Sequence, residues 1–197
     1  ATGGRQIESI DQLLTDPALK GRVTLLTEMR DTVGMVLLAL GKDPADFTDA
    51  DYEQAIGELT RARDAGQFRG FTGNDYTAGL ASGEIAACLA WTGDVVQLQA
   101  DNPALGYALP STGHMLWSDN FVIPNQAKHK KNAELLINHY YDPAVMADVA
   151  AWVNYIPPVR GTGDVLREAD PDTAGNTLIF PTEEVRGNSH VFRGLSE

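Results

Sequence analysis

The stretch VTLLTEMRDTVGMVLLAL, residues 23–40, decides the fold of this chain. Its first part, Val23–Thr27, is a short apolar run with β-branched residues, a pattern that predicts a buried strand. Its last part, Asp31–Leu40, carries apolar residues at helical spacing and is followed by Gly41, which predicts a helix that ends at that glycine. A strand that leads directly into a helix is typical of an α/β fold.

The same alternation of strands and helices continues over most of the chain. Ser9 and Thr48 each stand where they can cap the first turn of a helix. The further predicted helices are Ile10–Leu14, Asp49–Ala65, Gly73–Ser82, Gly93–Ala100, Lys131–Tyr140 and Pro143–Val153. The further predicted strands are Ile85–Ala90, Gly106–Leu109 and Trp117–Ile123. The pattern predicts a largely parallel sheet flanked by helices, with ligands bound at the carboxyl ends of the strands.

The composition excludes several classes of partner and site. Acidic residues outnumber basic ones by 27 to 15, so the formal charge is −12 and the surface repels phosphate backbones and anionic lipids. We therefore expect no nucleic-acid partner. The single cysteine, Cys88, excludes an internal disulfide and any CxxC motif. No apolar run in the sequence approaches the roughly 20 residues of a membrane-spanning helix.

Two acidic side chains stand where the strand Val23–Thr27 meets the next helix. Glu28 and Asp31 are three residues apart, so they lie on one face of the first helical turn. At the end of a parallel strand they are candidates for binding a cationic ligand. The alternative is that they only complement the helix dipole, which contributes about 0.3–1 kcal/mol per acid. The residues alone leave both interpretations open.

Three further candidates combine aromatic rings with a carboxylate. Trp117 and Asp119 are two residues apart and therefore share one face of a predicted strand. A ring face beside a carboxylate suits an alkylammonium group, because the ring attracts the cation while the carboxylate pairs with it. Trp91 follows the predicted strand Ile85–Ala90. For both tryptophans the alternative is packing on the core, with Asp119 as a turn residue.

Other residue patterns give little support to a metal site or an enzyme. The four histidines share no HxxxH or HExxH spacing. Tyr140 and Tyr141 are adjacent, as in some ferric-iron sites, but they close an amphipathic helix, and packing is the favoured role. Cys88, inside an apolar strand, is predicted to be inert. A hydrolase or transferase that uses Glu28 and Asp31 as acid and base is the remaining alternative, although the sequence offers no nucleophile or metal ligand near them.

Six ordered segments carry a resemblance to a known family. They are Ser9–Leu14, Leu25–Asp31, Gly83–Trp91, Trp117–Pro124, Lys131–Asn138 and Asn154–Pro157. In their order and spacing the chain resembles the spermidine/putrescine-binding solute receptors of ABC importers, from about Ile10 to Pro181. The resemblance implies six ligand-binding residues, which are Glu28, Asp31, Trp91, Trp117, Asp119 and Tyr155. Near Phe192 the family often has a polar residue such as Gln, and this chain departs from that pattern.

The resemblance also implies an architecture. Members have two α/β lobes of the type II periplasmic-binding-protein kind, and this chain looks like one that begins in the second lobe, without the main segment of the first. On that basis, residues 1–117 are the main segment of the second lobe and residues 118–156 return to the first lobe. Residues 157–197 then return toward the second lobe.

The function that the resemblance implies is solute capture for import. A linear polyamine, putrescine or spermidine, would lie in the cleft between the lobes, and a membrane permease of an ABC transporter would recognise the closed state. The implied protein is a monomer in the periplasm or outside the cell, with a lipid anchor as one option, and it is neither an enzyme nor dependent on a cofactor. The alternatives are a receptor for another small cation or for Fe³⁺, and the carboxylate-using enzyme.

Overall fold

The computed structural model describes Thr2 and residues 4–194. The chain forms two compact units: the first runs to Trp117 and resumes at Val185, and the second spans Ser118–Glu184. Helices alternate with parallel strands, so the predicted α/β class is confirmed. The assignment of residues 1–117, 118–156 and 157–197 to particular lobes stays a prediction.

Helices and strands follow one another along the first unit, whereas the second unit is helical in its described part. The first unit contains α1 Ile10–Thr15, a 3-10 helix at Pro17–Leu19, β1 Val23–Leu26, α2 Met29–Ala39, α3 Asp49–Asp64, β2 Phe68–Thr72, α4 Tyr76–Ser82, β3 Ala87–Cys88, α5 Thr92–Asp101 and β4 His114–Met115. The second unit contains α6 Lys130–His139, α7 Pro143–Val153, α8 Thr162–Ala169 and α9 Pro171–Gly175. The chain then forms α10 Glu183–Gly187, which includes the boundary between the units, and β5 Ser189–His190.

The main sheet of the first unit has three parallel strands in the order β2-β1-β3. All four residues of the central strand β1 are buried, as expected for a parallel strand that is covered on both faces. Val23 and Leu25 belong to the larger apolar cluster, which includes residues of α1, α2 and α3. Leu26 belongs to a smaller cluster with Tyr76 and Ile85. This division follows from the two-residue period of a strand, and it places the end of β1 next to both clusters.

The predicted helices are all present, with ends that differ from the prediction by three residues or fewer. Ser9 caps α1 together with Gln12, and Thr48 caps α3 together with Asp51, each pair forming a reciprocal capping box. Gly41 has a φ of 71°, and its N–H donates to the Leu38 carbonyl, as the predicted glycine at the end of α2 requires. These caps are formed by residues close to one another in the sequence, so local signals account for these helix ends.

The strand predictions were less accurate than the helix predictions. The described residues 106–109 and 117–123 form no strand, so both of those predictions are wrong. The run 117–123 mixes apolar residues with Ser118, Asp119 and Asn120, it pairs with no strand in the described chain, and its Val122 is 80% exposed. The predicted strand Ile85–Ala90 is correct in place but shortens to β3. The prediction missed β2, since Arg69 and Gly70 interrupt its apolar pattern.

In the second unit, α7 packs against α8 and α8 packs against α9. Its core includes a cluster of Ala147, Ala150 and Leu166, with Phe180 packed against it. Asp142 starts α7 by accepting a hydrogen bond from the Ala144 N–H at 2.9 Å. Among the helices that the structure describes, none has the length and apolar character needed to cross a membrane.

Candidate functional site

The junction between β1 and α2 carries the two predicted acids. Glu28 is the N-cap residue of α2, it is exposed, and its side chain makes no capping hydrogen bond. Asp31 lies in the first turn of α2 and is only 9% exposed. The Thr32 hydroxyl donates to the Leu26 carbonyl at 2.7 Å and so ties the start of the helix to the end of the strand. The two acids therefore share one helical turn but differ sharply in their access to water.

Asp31 is the residue around which the predicted side chains of the first unit meet. Its pKa is raised above the ordinary value mainly because burial removes water from the carboxylate. Hydrogen bonding from the Trp91 indole opposes this shift, the negative charge of Glu28 adds to it, and the Trp117 indole and the Arg30 charge oppose it further. Three other predicted site residues, namely Glu28, Trp91 and Trp117, thus lie within interaction range of Asp31.

The two indoles leave the hydrogen bonding of the Asp31 carboxylate incomplete. Nε1 of Trp91 is buried and has no hydrogen bond of normal geometry, so its interaction with the carboxylate is mainly electrostatic. Trp117 is 40% exposed and therefore keeps part of its ring in water. A buried carboxylate with imperfect donors around it can accept a further donor, and a cationic donor would stabilise it most.

Trp117 reaches this site because β4 packs closely on α2. A Cβ atom at Gly34, one helical turn beyond Asp31, would lie 2.9 Å from Sδ of Met115. Glycine is therefore the residue that allows β4 to approach α2 at this depth. Since Met115 precedes Trp117 by two residues, this close approach sets the position from which the indole reaches Asp31.

Arg30 and Phe192 form a neighbouring contact that the sequence did not predict. The Arg30 guanidinium lies 4.6 Å from the centroid of the Phe192 ring, and its Nη2 donates to the Arg193 carbonyl at 2.7 Å. Phe192 stands where the resemblance implied a polar residue, and in this chain its ring is stacked by an arginine. The contact joins residues 162 positions apart, so no local sequence signal announces it.

The other two predicted ligand residues belong to the second unit. Asp119 is exposed and lies in a stretch that forms no strand in the described chain. Tyr155 is half-buried and follows Asn154, whose φ of 59° ends α7. The structure brings Glu28, Asp31, Trp91 and Trp117 together, and it describes Asp119 and Tyr155 within their own unit.

An apolar groove of about 250 Å³ lies at the same strand-to-helix junction, beside the two acids. Its lining includes Met29, Ile56, Leu59 and Phe71, with Arg63 as its charged member. Neither Glu28 nor Asp31 lines it. A groove with a cationic side chain and no acid does not suit a cationic ligand, so the candidate site is the cluster around Asp31.

The residues considered for metal or nucleophile chemistry have other surroundings. Tyr140 packs against Phe121 with ring centroids 5.2 Å apart, while Tyr141 is largely exposed. Burial raises the pKa of the Cys88 thiol to about 12, which fits the predicted inert role. Across residues 4–194, His, Cys, Asp and Glu form no group of three or more that could hold a metal ion.

Comparison with curated proteins finds relatives with related names. The chain is 26% identical over 178 residues to the spermidine/putrescine-binding periplasmic protein 1 of Haemophilus influenzae, covering 90% of this chain and 48% of that protein. It is 29% identical over 173 residues to the putrescine-binding periplasmic protein PotF of Escherichia coli, covering 83% of this chain and 45% of that protein. The chain thus spans about half the length of the curated relatives it matches.

Solved structures agree with this comparison at the level of the fold. A Listeria monocytogenes structure matches with a TM-score of 0.85 and 25% identity, covering 98% of this chain and 58% of that one. The spermidine/putrescine ABC transporter substrate-binding protein PotD of Streptococcus pneumoniae matches with a TM-score of 0.79 and 21% identity, covering 99% of this chain and 58% of that one. The expected periplasmic-binding-protein fold is therefore confirmed.

A family model describes the same relationship. Residues 5–173 match the model for bacterial extracellular solute-binding proteins. This is a family of binding proteins rather than of enzymes, as the resemblance implied. Because the match covers most of the sequence, the chain belongs to the bacterial extracellular solute-binding protein family.

Proposed function

We propose that this chain is part of a polyamine receptor of an ABC importer, with putrescine or spermidine as its ligand. Relatives named for spermidine and putrescine binding support the ligand class. The single observation that carries the proposal is the buried Asp31 carboxylate, with two indoles and a second acid within interaction range.

The electrostatics of Asp31 favour a cationic ligand. Among the described Lys and Arg residues, none forms an ion pair with this carboxylate. A ligand ammonium would replace the hydration that burial removes with a charge-assisted hydrogen bond. Glu28 adds a second negative charge beside it, so an anionic solute would be repelled.

The indoles suit the rest of an alkylammonium chain. The face of a tryptophan ring attracts an ammonium group by about 0.5–2 kcal/mol, and ring surface covers methylene groups without any demand for hydrogen bonds. Trp91 and Trp117 supply such surface next to Asp31. A linear diamine or triamine combines the two requirements in one molecule.

Asp119 and Tyr155 are proposed as further ligand contacts on the family resemblance. Asp119→Asn is expected to weaken polyamine binding by at least about tenfold, or about 1.4 kcal/mol. Unchanged affinity in that variant would remove Asp119 from the proposed set. At Tyr155, the affinity of Tyr155→Phe measures the contribution of the hydroxyl, and that of Tyr155→Ala measures the contribution of the hydroxyl and the ring together.

Nuclear magnetic resonance of the indole N–H groups tests the proposal directly. The chain has three tryptophans, so it gives three indole signals. Trp91 and Trp117 lie at the candidate site, whereas Trp152 is 84% exposed in the second unit and serves as an internal reference. Titration with putrescine, spermidine and spermine should shift the first two signals and leave that of Trp152 unchanged.

The expected affinity follows from the share of the relatives that this chain spans. A micromolar complex corresponds to about −8 kcal/mol, and we expect roughly half to two thirds of that for this chain, which corresponds to a Kd of about 0.1–1 mM. Asp31→Asn should weaken the binding at least about tenfold. The matched control is Asp49→Asn, which neutralises an exposed acid in the first turn of α3 and should leave the affinity unchanged. Indole signals that do not move at concentrations well above this range would contradict the proposal.

The proposed partner and location follow from the same family membership. A receptor of this kind delivers its solute to a membrane permease of an ABC transporter, and we propose that this chain acts in the periplasm or outside the cell. Transport of labelled putrescine by cells that lack the gene tests this step. Uptake at the wild-type rate in such cells would contradict it.

A further inference from the structure

We propose that Tyr76 and Asp94 are positioning residues that hold Trp91 beside the Asp31 carboxylate, an inference whose consequence for ligand binding rests on the proposed function. Neither residue belongs to the predicted ligand set. Both act through the backbone and ring of Trp91.

Tyr76 is fully buried, and its hydroxyl makes two hydrogen bonds. It donates to Oδ2 of Asp94 at 2.5 Å and accepts from the backbone N–H of Trp91 at 3.1 Å. Its ring also packs against the Trp91 ring, with centroids 6.2 Å apart. One side chain of α4 therefore contacts both the backbone and the indole of Trp91.

Asp94 completes this arrangement from the first turn of α5. Its Oδ2 also accepts from Nδ2 of Asn74 at 2.8 Å, so two donors fix the carboxylate. Burial and the hydrogen bond to Asp94 raise the pKa of Tyr76 above its ordinary value, so the phenol stays protonated. The direction of the hydrogen bonds is thereby fixed: Trp91 N–H to the Tyr76 hydroxyl, and that hydroxyl to Asp94.

Trp91 depends on these contacts because its own side chain cannot secure it. It is the N-cap residue of α5, and an indole has only a donor, so it cannot accept a capping hydrogen bond. Its buried Nε1 lacks a hydrogen bond of normal geometry. The indole is therefore held near Asp31 by its backbone and by the Tyr76 ring, rather than by its own N–H.

The first test measures the interaction of Trp91 with Asp31 without any ligand. In a pH titration, the indole signals of Trp91 and Trp117 should each shift as Asp31 ionises, since both indoles interact with its carboxylate. Tyr76→Phe removes only the hydroxyl and should make the shift of Trp91 at least about twofold smaller. The shift of Trp117 should persist. A general loss of stability would change the pH-dependent shifts of both tryptophans, not that of Trp91 alone.

Three further variants control for folding. Asp94→Ala should also make the Trp91 shift smaller. If Tyr76→Phe does not fold, the Trp91 shift in Asp94→Ala tests the positioning role instead. Asp94→Asn keeps an oxygen acceptor for the hydroxyl and should preserve the Trp91 shift. Ser82→Ala removes an exposed hydroxyl from the same helix and should change neither tryptophan. A Trp91 shift of wild-type size in both Tyr76→Phe and Asp94→Ala would overturn the inference.

The second test concerns ligand affinity. Tyr76→Phe removes both hydrogen bonds of the hydroxyl, and the loss of the one to the Trp91 N–H should weaken putrescine binding about fivefold. Wild-type affinity in this variant would overturn the role of Tyr76 in binding and leave the proposed function standing. If the wild-type chain binds no polyamine, the proposed function fails, and the ligand-free titration still supports or overturns the positioning role.

Discussion

Asp31→Asn should make the folded chain more stable at pH 7 while it removes the proposed ligand contact. The folded-state pKa of Asp31 lies above its ordinary value, mainly because of burial. At pH values between the unfolded-state and folded-state pKa of Asp31, the chain therefore binds a proton as it folds. The free energy of unfolding falls as the pH rises through this range. Above the window, the ionised carboxylate is buried at a cost that a neutral amide does not carry.

The magnitude follows from the surroundings of the side chain. A buried polar or charged group with incomplete hydrogen bonding costs about 1–3 kcal/mol, and the two indole donors offset part of that cost. We expect Asp31→Asn to raise the free energy of unfolding at pH 7 by about 1 kcal/mol. For a chain of this size that corresponds to an increase in Tm of about 2–4 °C. The gain should shrink as the pH falls, because Asp31 is then protonated in the wild type as well.

The assay is thermal unfolding followed by circular dichroism at several pH values, with Asp49→Asn as the comparison. Asp49 is an exposed acid in the first turn of α3, where it complements the helix dipole. Its neutralisation should lower the stability by about 0.3–1 kcal/mol. The two substitutions change the net charge equally and should have opposite effects. A Tm of Asp31→Asn below that of the wild type at pH 7 would refute the reasoning, since it would mean that the carboxylate stabilises the ligand-free fold.

Three further predictions concern the surroundings of the site. Acidification should weaken putrescine binding as Asp31 becomes protonated, and calorimetry should find a smaller pH dependence in Asp31→Asn. Gly34→Ala should weaken the interaction of Trp117 with Asp31, because the new Cβ pushes against Met115; Met115→Ala in the same chain should restore the Trp117 indole signal. Burial and the nearby His190 lower the pKa of His114 below its ordinary value, and its Nε2 lies 2.9 Å from the Ser189 hydroxyl. The unfolded chain therefore binds a proton at His114 more readily than the folded chain, and the folded chain loses stability as the pH falls below about 6.5. His114→Gln should reduce that loss in thermal unfolding, and an unchanged pH profile would contradict the assignment.

The parts of the fold that could be predicted from the sequence are those that local patterns determine. Ser9 and Thr48 cap their helices because each has a partner three residues later, and this spacing is visible in the sequence. The strand and helix of residues 23–40 were also predicted from a local pattern, namely an apolar run followed by apolar residues at helical spacing. The position of Glu28 and Asp31 at the end of β1 follows directly from that local order.

The parts that could not be predicted depend on contacts between distant residues. Phe68–Thr72 becomes a strand because it pairs with β1, although Arg69 and Gly70 break its apolar pattern. The run 117–123 was predicted as a strand from its aromatic and β-branched residues, but it has no paired neighbour in the described chain. The contact of Arg30 with Phe192 joins two ends of the sequence and has no local signal.

The difference in burial between Glu28 and Asp31 helps to decide between the two interpretations that the sequence left open. Complementing the helix dipole is worth about 0.3–1 kcal/mol, and an exposed acid provides it without loss of hydration. Burying a carboxylate beside two indoles costs about 1–3 kcal/mol before any compensation, so the dipole alone does not account for the surroundings of Asp31. The proposed ligand ammonium would reverse this balance, because no Lys or Arg forms an ion pair with Asp31 in the described chain. The cost in the ligand-free chain would then favour a cation over a neutral solute of the same shape.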